Sequence, residues 1–156
     1  MLESNRSIRL CTLAHHPFVA DHYDCSTAML NEHALSIRVR YCETDAMGCL
    51  HHSQFFNYFE QGRTELLREQ GGCYRDIEEA GLFLVVVRLQ CSYHAPARYD
   101  DLLTLVTRVE NVSAVKIEHS YRLLRGDQLL ASATSTLACV DREGKVARLP
   151  ESITAS

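Results

Sequence analysis

The sequence predicts an α+β fold in which a curved antiparallel sheet wraps around one long central helix. Three observations lead to this fold: an alternating strand that starts near residue 34, a long amphipathic helix after it, and several strand-like segments in the second half of the chain. A single helix packed on the outside of such a sheet would leave apolar surface uncovered, so we expect the sheet to curve around it. The 156 residues suffice for one domain with a hydrophobic core.

The first strand and the helix have the clearest periodicity. From Ala34 to Tyr41 apolar and polar residues alternate, which predicts a half-buried strand that ends at Tyr41. Apolar or small residues then recur at helical spacing at Phe55, Phe56, Phe59, Gly62, Leu66 and Leu67. Ser53 is a candidate N-cap and Gly71-Gly72 is a stop signal, so the helix is predicted to run from about residue 53 to residue 69.

The rest of the chain is predicted to be mainly β-structure. A short helix over residues 74–80 is followed by residues 82–93, which begin with a continuous apolar run typical of a strand buried on both faces. Three further strands and a short edge strand are predicted over residues 102–112, 115–124, 129–140 and 146–149. Short turns separate the first three of these strands, which predicts consecutive antiparallel hairpins.

Residues 1–33 are predicted to form an N-terminal extension, disordered or loosely docked, in front of a domain that spans residues 34–153. The extension mixes polar and apolar residues and shows no clear period. Met29 lies just before the first periodic element, so it is a candidate alternative start of the chain.

A variant that begins at Met29 is expected to fold and to keep most of its activity, because residues 1–28 lack the pattern of a core element. Thermal unfolding of the shortened and full-length chains checks this expectation. A large fall in the melting temperature, or insoluble protein, would show that the segment belongs to the folded core.

Composition and charge argue against several classes of partner. The net charge is -4 and the pI is about 6.0, so neither nucleic acid nor a membrane is an expected partner. No apolar run approaches the roughly 20 residues that span a bilayer. The seven cysteines are irregularly spaced, without a C-x-x-C pair. Residues 1–13 lack a basic region followed by a continuous apolar stretch, so a secretory signal is not expected. These features predict reduced thiols and a cytoplasmic location.

Residues 41–52 carry the groups most suited to catalysis. Tyr41, Asp45 and His52 place a phenol, a carboxylate and an imidazole just before the free N–H groups that open the predicted helix. Such groups can polarise a carbonyl and deliver water to it. Each residue also has a purely structural interpretation: Asp45 as a turn cap, Tyr41 as a core residue, and His52 as a loop residue without a chemical role.

Two other kinds of catalytic site are disfavoured by the motifs. The stretch from Cys42 to His52 contains metal-ligating residue types, but their spacing matches neither C-x-x-C nor H-E-x-x-H. We therefore expect no metal. The chain also lacks the G-x-S-x-G sequence of a serine hydrolase.

Four segments carry the pattern of a known family: residues 40–48 (RYCETDAMG), 57–65 (NYFEQGRTE), 93–101 (YHAPARYDD) and 140–150 (VDREGKVARLP). Together they make the chain resemble the hotdog-fold acyl-CoA thioesterases of the 4-hydroxybenzoyl-CoA thioesterase-like group, over about residues 34–153. The resemblance implies the hotdog fold and the hydrolysis of an acyl-CoA to a free acid and coenzyme A. Coenzyme A is then part of the substrate, and no cofactor is expected.

The resemblance also assigns roles to residues. The catalytic carboxylate of the family maps onto Asp45. Bacterial short-chain members carry a tyrosine four residues before it and a histidine seven residues after it, where this chain has Tyr41 and His52. The backbone N–H at the position of His52 is the family's donor to the thioester. The chain departs from the family pattern at Cys49-Leu50-His51.

The resemblance further implies a homodimer, or a tetramer built from dimers. In the family two helices lie side by side and each active site takes residues from both chains, so residues 82–93 are expected to pair with the same strand of a second copy.

Two other functions are compatible with the pattern. A non-catalytic acyl-CoA or acyl-carrier binding module would need the pocket but not Asp45. A hotdog dehydratase would use a different histidine and acidic pair on the helix, which we do not find in this chain.

Overall fold

The computed structural model describes residues 31–154. Residues 1–30 of the predicted extension lie outside the described residues, so the expected folding of a variant that begins at Met29 stays a prediction. In chain order the elements are β1 (Glu32–Arg38), a 3-10 turn (Tyr41–Glu43), α1 (Gln54–Glu69), α2 (Tyr74–Glu79), β2 (Phe83–Tyr93), β3 (Leu102–Val112), β4 (Lys116–Arg125), β5 (Gln128–Val140) and α3 (Glu151–Thr154). None of these helices is long and apolar enough to cross a bilayer.

The strands of the described chain form one antiparallel sheet in the order β1-β3-β4-β5-β2. β3, β4 and β5 form two consecutive hairpins, as predicted. Buried positions alternate with exposed ones along β3 and β4. α1 packs against β1 and β3 and buries Phe55, Tyr58, Phe59, Gly62 and Leu66. This arrangement confirms the predicted hotdog fold, a curved antiparallel sheet around one long helix.

Gly62 allows α1 to lie very close to the sheet. A Cβ atom at this position would lie 2.6 Å from Leu105 Cδ2 and would also collide with Thr107 Oγ1 on β3. Both neighbours are fully buried, so a larger side chain would require the helix to move. Beside this contact Phe59 packs on Tyr121, with ring centroids 4.8 Å apart.

Two local predictions are wrong. β1 ends at Arg38, and Tyr41 begins the 3-10 turn rather than ending the strand. Residues 146–149 do not form an edge strand, and Val146 makes only an isolated bridge with Val140. The reason is that the following N–H groups donate to different segments, Ala147 to Cys139 and Leu149 to Ala114, so no continuous ladder forms.

β2 lies at an edge of the sheet, although its continuous apolar run predicts a strand buried on both faces. It pairs with β5, and its other edge has no partner within the described chain. Val85, Val86 and Val87 are 38%, 46% and 55% exposed. A long edge strand with an exposed apolar centre is the kind of edge that a second chain can extend.

Candidate active site

Asp45 lies in a tight hairpin between the 3-10 turn and α1. Thr44 and Leu50 form an antiparallel bridge at its base, and the Asp45 N–H donates to the Cys49 carbonyl oxygen at 2.8 Å. The Gly48 N–H donates back to the Asp45 carbonyl oxygen at 2.9 Å, and Gly48 has φ 70°, a conformation that favours glycine. The backbone therefore fixes the position of the aspartate.

The Asp45 carboxylate uses one oxygen to hold this turn. Oδ1 accepts hydrogen bonds from the N–H groups of Met47 at 2.8 Å and Cys49 at 3.2 Å. Both hydrogen bonds that this side chain accepts from described residues fall on Oδ1, which leaves Oδ2 for a substrate or a water molecule. Asp45 therefore caps a turn through Oδ1, and this role does not exclude chemistry at Oδ2.

The same turn occurs a second time, at Asp141. Its Oδ1 accepts from the N–H groups of Glu143 at 3.0 Å and Lys145 at 2.8 Å, and its own N–H donates to the Lys145 carbonyl oxygen. Turn chemistry alone thus accounts for an aspartate at each position. Asp45 differs in its surroundings, because its hairpin leads directly into the N-terminus of α1.

A buried carboxylate that the sequence did not single out, Glu43, ties this hairpin to α1. Glu43 is 3% exposed. Its Oε1 accepts from the Arg40 guanidinium at 2.7 and 2.9 Å, and its Oε2 accepts from the Arg40 N–H and the Tyr58 hydroxyl, both at 2.7 Å. Burial alone would raise the pKa of Glu43, but the hydrogen bonds from Arg40 and Tyr58 hold it below its usual value. Burial and the Glu43 carboxylate raise the pKa of Tyr58, so the hydroxyl stays protonated and donates.

The Glu43 backbone extends this connection to the start of the helix. Its carbonyl oxygen accepts the His51 N–H at 2.8 Å. His51 Nδ1 in turn accepts the Ser53 N–H at 3.3 Å and lies 2.8 Å from Ser53 Oγ. Ser53 has helical backbone angles and its hydroxyl makes no capping hydrogen bond within the described chain. Ser53 therefore occupies the N-cap position, as predicted, but its hydroxyl does not cap the helix, and the imidazole of His51 accepts the Ser53 N–H instead.

His52 presents a backbone donor beside the start of α1. Its N–H makes no hydrogen bond to any described residue, and its carbonyl oxygen accepts from the Tyr93 hydroxyl at 3.3 Å. Its exposed ring lies against the ring of His51, with centroids 4.1 Å apart. The free N–H adjoins the positive end of the helix dipole, where negative charge that develops in a reaction is stabilised.

The Tyr41 side chain makes no hydrogen bond with the Asp45 hairpin or with His52 among the described residues. Its side chain is 78% exposed and meets Tyr99 edge to face, with ring centroids 5.6 Å apart. Within the described residues it neither packs in the core nor hydrogen-bonds to Asp45 or His52. The tyrosine that does contact the start of the helix is Tyr93, whose only sequence signal is its place in the family segment 93–101.

The hairpin is also fastened to the connection between β2 and β3. The Leu50 N–H donates to the carbonyl oxygen of Ala97, a fully buried residue, at 2.8 Å. Asp101 holds this connection through a 2.7 Å ion pair with Arg125 of β4. The family segment 93–101 therefore helps to position the loop that carries Asp45.

The described residues offer no obvious metal centre: no group of three or more histidine, cysteine, aspartate or glutamate side chains in residues 31–154 is arranged to hold an ion. The cysteines in this range are free thiols at Cys42, Cys49, Cys73, Cys91 and Cys139. The groups that the site does present are a carboxylate, backbone N–H donors and two imidazoles.

The fold and the site together define a hotdog-fold protein with a carboxylate-bearing hairpin at the N-terminus of its central helix. A sequence model of the Thioesterase-like superfamily matches residues 39–156. The chain belongs to this superfamily.

Relatives with assigned names share most of the chain. The acyl-CoA thioesterase YbgC of Haemophilus influenzae is 38% identical over 112 residues, which are 71% of this chain and 82% of the relative. The acyl-CoA thioester hydrolase YbgC of Escherichia coli is 31% identical over 121 residues, which are 76% and 90% of the two chains. Among solved structures, the DHNA-CoA thioesterase of Staphylococcus aureus superposes with a TM-score of 0.73 at 27% identity, over 76% of this chain and 80% of its own. These similarities confirm the resemblance that the four sequence segments indicated.

Proposed function

We propose that this protein is an acyl-CoA thioesterase, which hydrolyses an acyl-CoA to a free acid and coenzyme A. The observation that carries the proposal is the Asp45 hairpin, in which Oδ2 is not engaged by any described residue, next to a helix start with an unpartnered His52 N–H. The names of the YbgC relatives, acyl-CoA thioesterase and acyl-CoA thioester hydrolase, support the same activity.

Hydrolysis of a thioester needs a group that stabilises the oxyanion and a group that directs the attack. The His52 N–H donates to the carbonyl oxygen as that oxygen becomes negative, aided by the helix dipole. The Asp45 carboxylate either takes a proton from an attacking water or itself attacks the carbonyl carbon, forming an anhydride that water then cleaves. In both routes one water is consumed, the C–S bond breaks, and coenzyme A leaves as a thiolate that takes up a proton.

Tyr41 and the His52 ring are proposed to contact the bound acyl-CoA. Both are exposed and flank the Asp45 hairpin in sequence. Tyr41, Met47 and Tyr99 are 78%, 80% and 57% exposed, which places large apolar side chains in solvent around this hairpin. A cluster of this kind is typical of a surface that a ligand or a partner covers.

We propose that the enzyme acts in the cytoplasm and without a bound cofactor, so that coenzyme A enters only as part of the substrate. The free thiols of the described chain, with Cys42 exposed, fit a reducing compartment. The reaction above uses only groups of this chain and water.

Release of free thiol from a panel of aliphatic and aromatic acyl-CoAs tests the proposed activity. A thioesterase turns over at least one member of the panel, and the relative kcat/KM values define its acyl preference. Tight acyl-CoA binding without thiol release would indicate a binding module, and hydration or dehydration of the acyl chain would indicate a dehydratase. Absence of thiol release across the panel, with thioesters of an acyl carrier included, would contradict the proposal.

We further propose that the working form is a twofold dimer, or a tetramer of such dimers, in which β2 pairs with β2 of a second copy. The unpaired edge of β2 and its exposed valines support this arrangement. Pairing two such edges would join two sheets into one and remove both exposed apolar centres from water. Each active site would then include residues from both chains.

Replacement of Val86 by aspartate is expected to shift the protein toward monomers and to lower its activity, because the change would bury an unpaired charge at the β2 edge. Light scattering at micromolar concentration measures the mass. Val146→Asp is the matched control, because Val146 is 68% exposed and lies outside β2, and it should leave the mass unchanged. A wild-type monomer with full thioesterase activity would defeat both the dimer and the shared site, whereas a tetramer would still contain the proposed dimer.

A further inference from the structure

A second polar region lies between the C-terminal half of α1 and the sheet. The Arg63 side chain on α1 is 10% exposed, and His119 on β4 is 6% exposed. Tyr121, two residues further along β4, stacks near His119 with ring centroids 6.1 Å apart. Arg63 comes nine residues after the start of α1 at Gln54, about 14 Å along a helix at 1.5 Å per residue, so this region is separate from the Asp45 hairpin.

Polar atoms in this region have no partner within the described residues. Arg63 Nε and His119 Nδ1 are buried and form no hydrogen bond there, and the same holds for Thr107 Oγ1 on β3. The Arg63 guanidinium does pair with Glu60 at 2.9 Å, but the Glu60 side chain is 69% exposed, so that contact lies on the solvent side. Buried donors without partners are rare in natural proteins and indicate a bound water, ion or ligand.

A cavity of about 50 Å³ is lined by Arg63 and His119. Its polar lining is Asn31, Arg63, Gln70, Tyr74 and His119. The rest of its lining is apolar, with Leu66 of α1 and Ile117 of β4 among these residues. A cavity of this volume holds roughly three or four water-sized groups, so its occupant must be small. Among the described lining residues Arg63 alone carries a full charge, so the field inside the cavity is positive.

His119 and Tyr74, which line the cavity with Arg63, are uncharged at neutral pH and can donate hydrogen bonds. Burial, followed by the positive charge of Arg63, lowers the pKa of His119 to about 4, so its imidazole is neutral and can carry its hydrogen on Nδ1. Burial raises the pKa of the Tyr74 hydroxyl, and the charge and hydrogen bond of Arg63 oppose that rise. A guanidinium, an imidazole and a phenol thus line one largely apolar cavity, and Arg63 acts on both His119 and Tyr74.

We propose that this cavity is a binding site for a small carboxylate anion of the size of acetate or propionate. The carboxylate group binds Arg63 Nε and His119 Nδ1, and the short alkyl part lies against the leucine, valine and isoleucine walls. A carboxylate is a planar acceptor that matches a guanidinium edge. A phosphate or sulfate fits less well, because its further oxygens would be buried against apolar walls without hydrogen bonds.

Titration with sodium acetate and sodium propionate, against sodium chloride at the same ionic strength, tests the site. The readout is the ring signal of His119 in NMR spectra, assigned by its loss in His119→Phe. Saturable binding in the millimolar range is expected, with a rise in the pKa of His119, because the bound anion offsets the nearby charge of Arg63. Burial raises the pKa values of Tyr74 and Tyr121, so both hydroxyls stay uncharged at neutral and acidic pH. Arg63 and the added anion are then the charges that act directly on the His119 ring.

Arg63→Gln is expected to weaken carboxylate binding at least tenfold, because it removes the charge and the guanidinium edge and leaves only a shorter, neutral amide. Arg68→Gln is the matched control: it also pairs with a glutamate three residues before it on α1, but its side chain is 58% exposed, and binding should not change. If Arg63→Gln does not fold, the melting temperature of His119→Phe is measured with and without acetate instead. Loss of the stabilisation that acetate gives the wild type is then the expected result. Equal effects of acetate and chloride, unchanged binding in Arg63→Gln, or no saturable response would overturn the proposal and leave a cavity that holds only water.

Discussion

Replacement of Asp45 by asparagine is expected to lower kcat by roughly a hundredfold or more, the lower range for loss of a positioned acid–base group. Asparagine keeps an Oδ1 that can accept from the N–H groups of Met47 and Cys49, so the hairpin should persist. It removes the negative charge that would attack the thioester or take a proton from water. Substrate binding should therefore survive, and steady-state kinetics of thiol release, combined with measured acyl-CoA affinity, separates the two effects.

Asp141→Asn provides the control for this experiment. Asp141 holds the same type of turn through two N–H groups, so its replacement tests whether loss of the turn charge alone affects the protein. We expect its kcat to equal that of the wild type. Near-normal turnover in a folded Asp45→Asn variant would rule out the role proposed for Asp45 and would favour a binding module.

Replacement of Glu43 by alanine is expected to destabilise the fold by about 2–3 kcal/mol and to lower activity as well. The change leaves the buried Tyr58 hydroxyl without its acceptor, which costs roughly 1–3 kcal/mol by itself. The Arg40 side chain is largely in solvent, so loss of its ion pair adds little. At roughly 2–4 °C per kcal/mol for a chain of this size, the melting temperature should fall by about 5–10 °C.

Chemical denaturation of Glu43→Ala and of the wild type across pH gives a second measure of the same carboxylate. Hydrogen bonds hold the pKa of Glu43 below its usual 4.5, so its contribution is present above that pH and is lost as the pH falls through the lower folded value. The variant should lack this acid-side loss. Glu65→Ala, which breaks the exposed pair of Glu65 with Arg68, is the control and should change stability by less than about 0.5 kcal/mol. Equal stability of Glu43→Ala and the wild type would show that the network does not hold the hairpin.

The local elements of this protein follow from its sequence because each depends on neighbours within a few residues. The alternation around Ile37 predicts a strand, the helical spacing from Phe55 to Leu66 predicts α1, and the short turns between later segments predict the two consecutive hairpins of β3, β4 and β5. These periodicities reflect which side of an element is buried. The four family segments added the hotdog architecture and the candidate role of Asp45, which the comparisons and the structure leave as a proposal.

Local sequence patterns did not predict the order of the strands in the sheet. An apolar run such as that of β2 indicates burial, but it does not say whether the cover comes from the same chain or from a second one. Only the pairing of β2 with β5 places the run at an edge and leaves Val86 exposed within one chain. A central strand of one sheet and an edge strand that a second chain covers can have the same composition, because both are buried in the final assembly.

The sequence alone therefore determined most of the helices and strands, the location of the segment that carries Asp45 just before α1, and the class of fold. Only the tertiary structure decided which charged and polar side chains are buried. Glu43 and Glu60 each pair with an arginine three residues away, yet Glu43 is buried against Tyr58 and Glu60 lies in solvent. The buried meeting of Arg63 and His119 arises in the same way, because residues on α1 and β4 come together only when the sheet closes around the helix. Burial and long-range contact set the pKa values and the unpaired donors, and neither is encoded in local spacing.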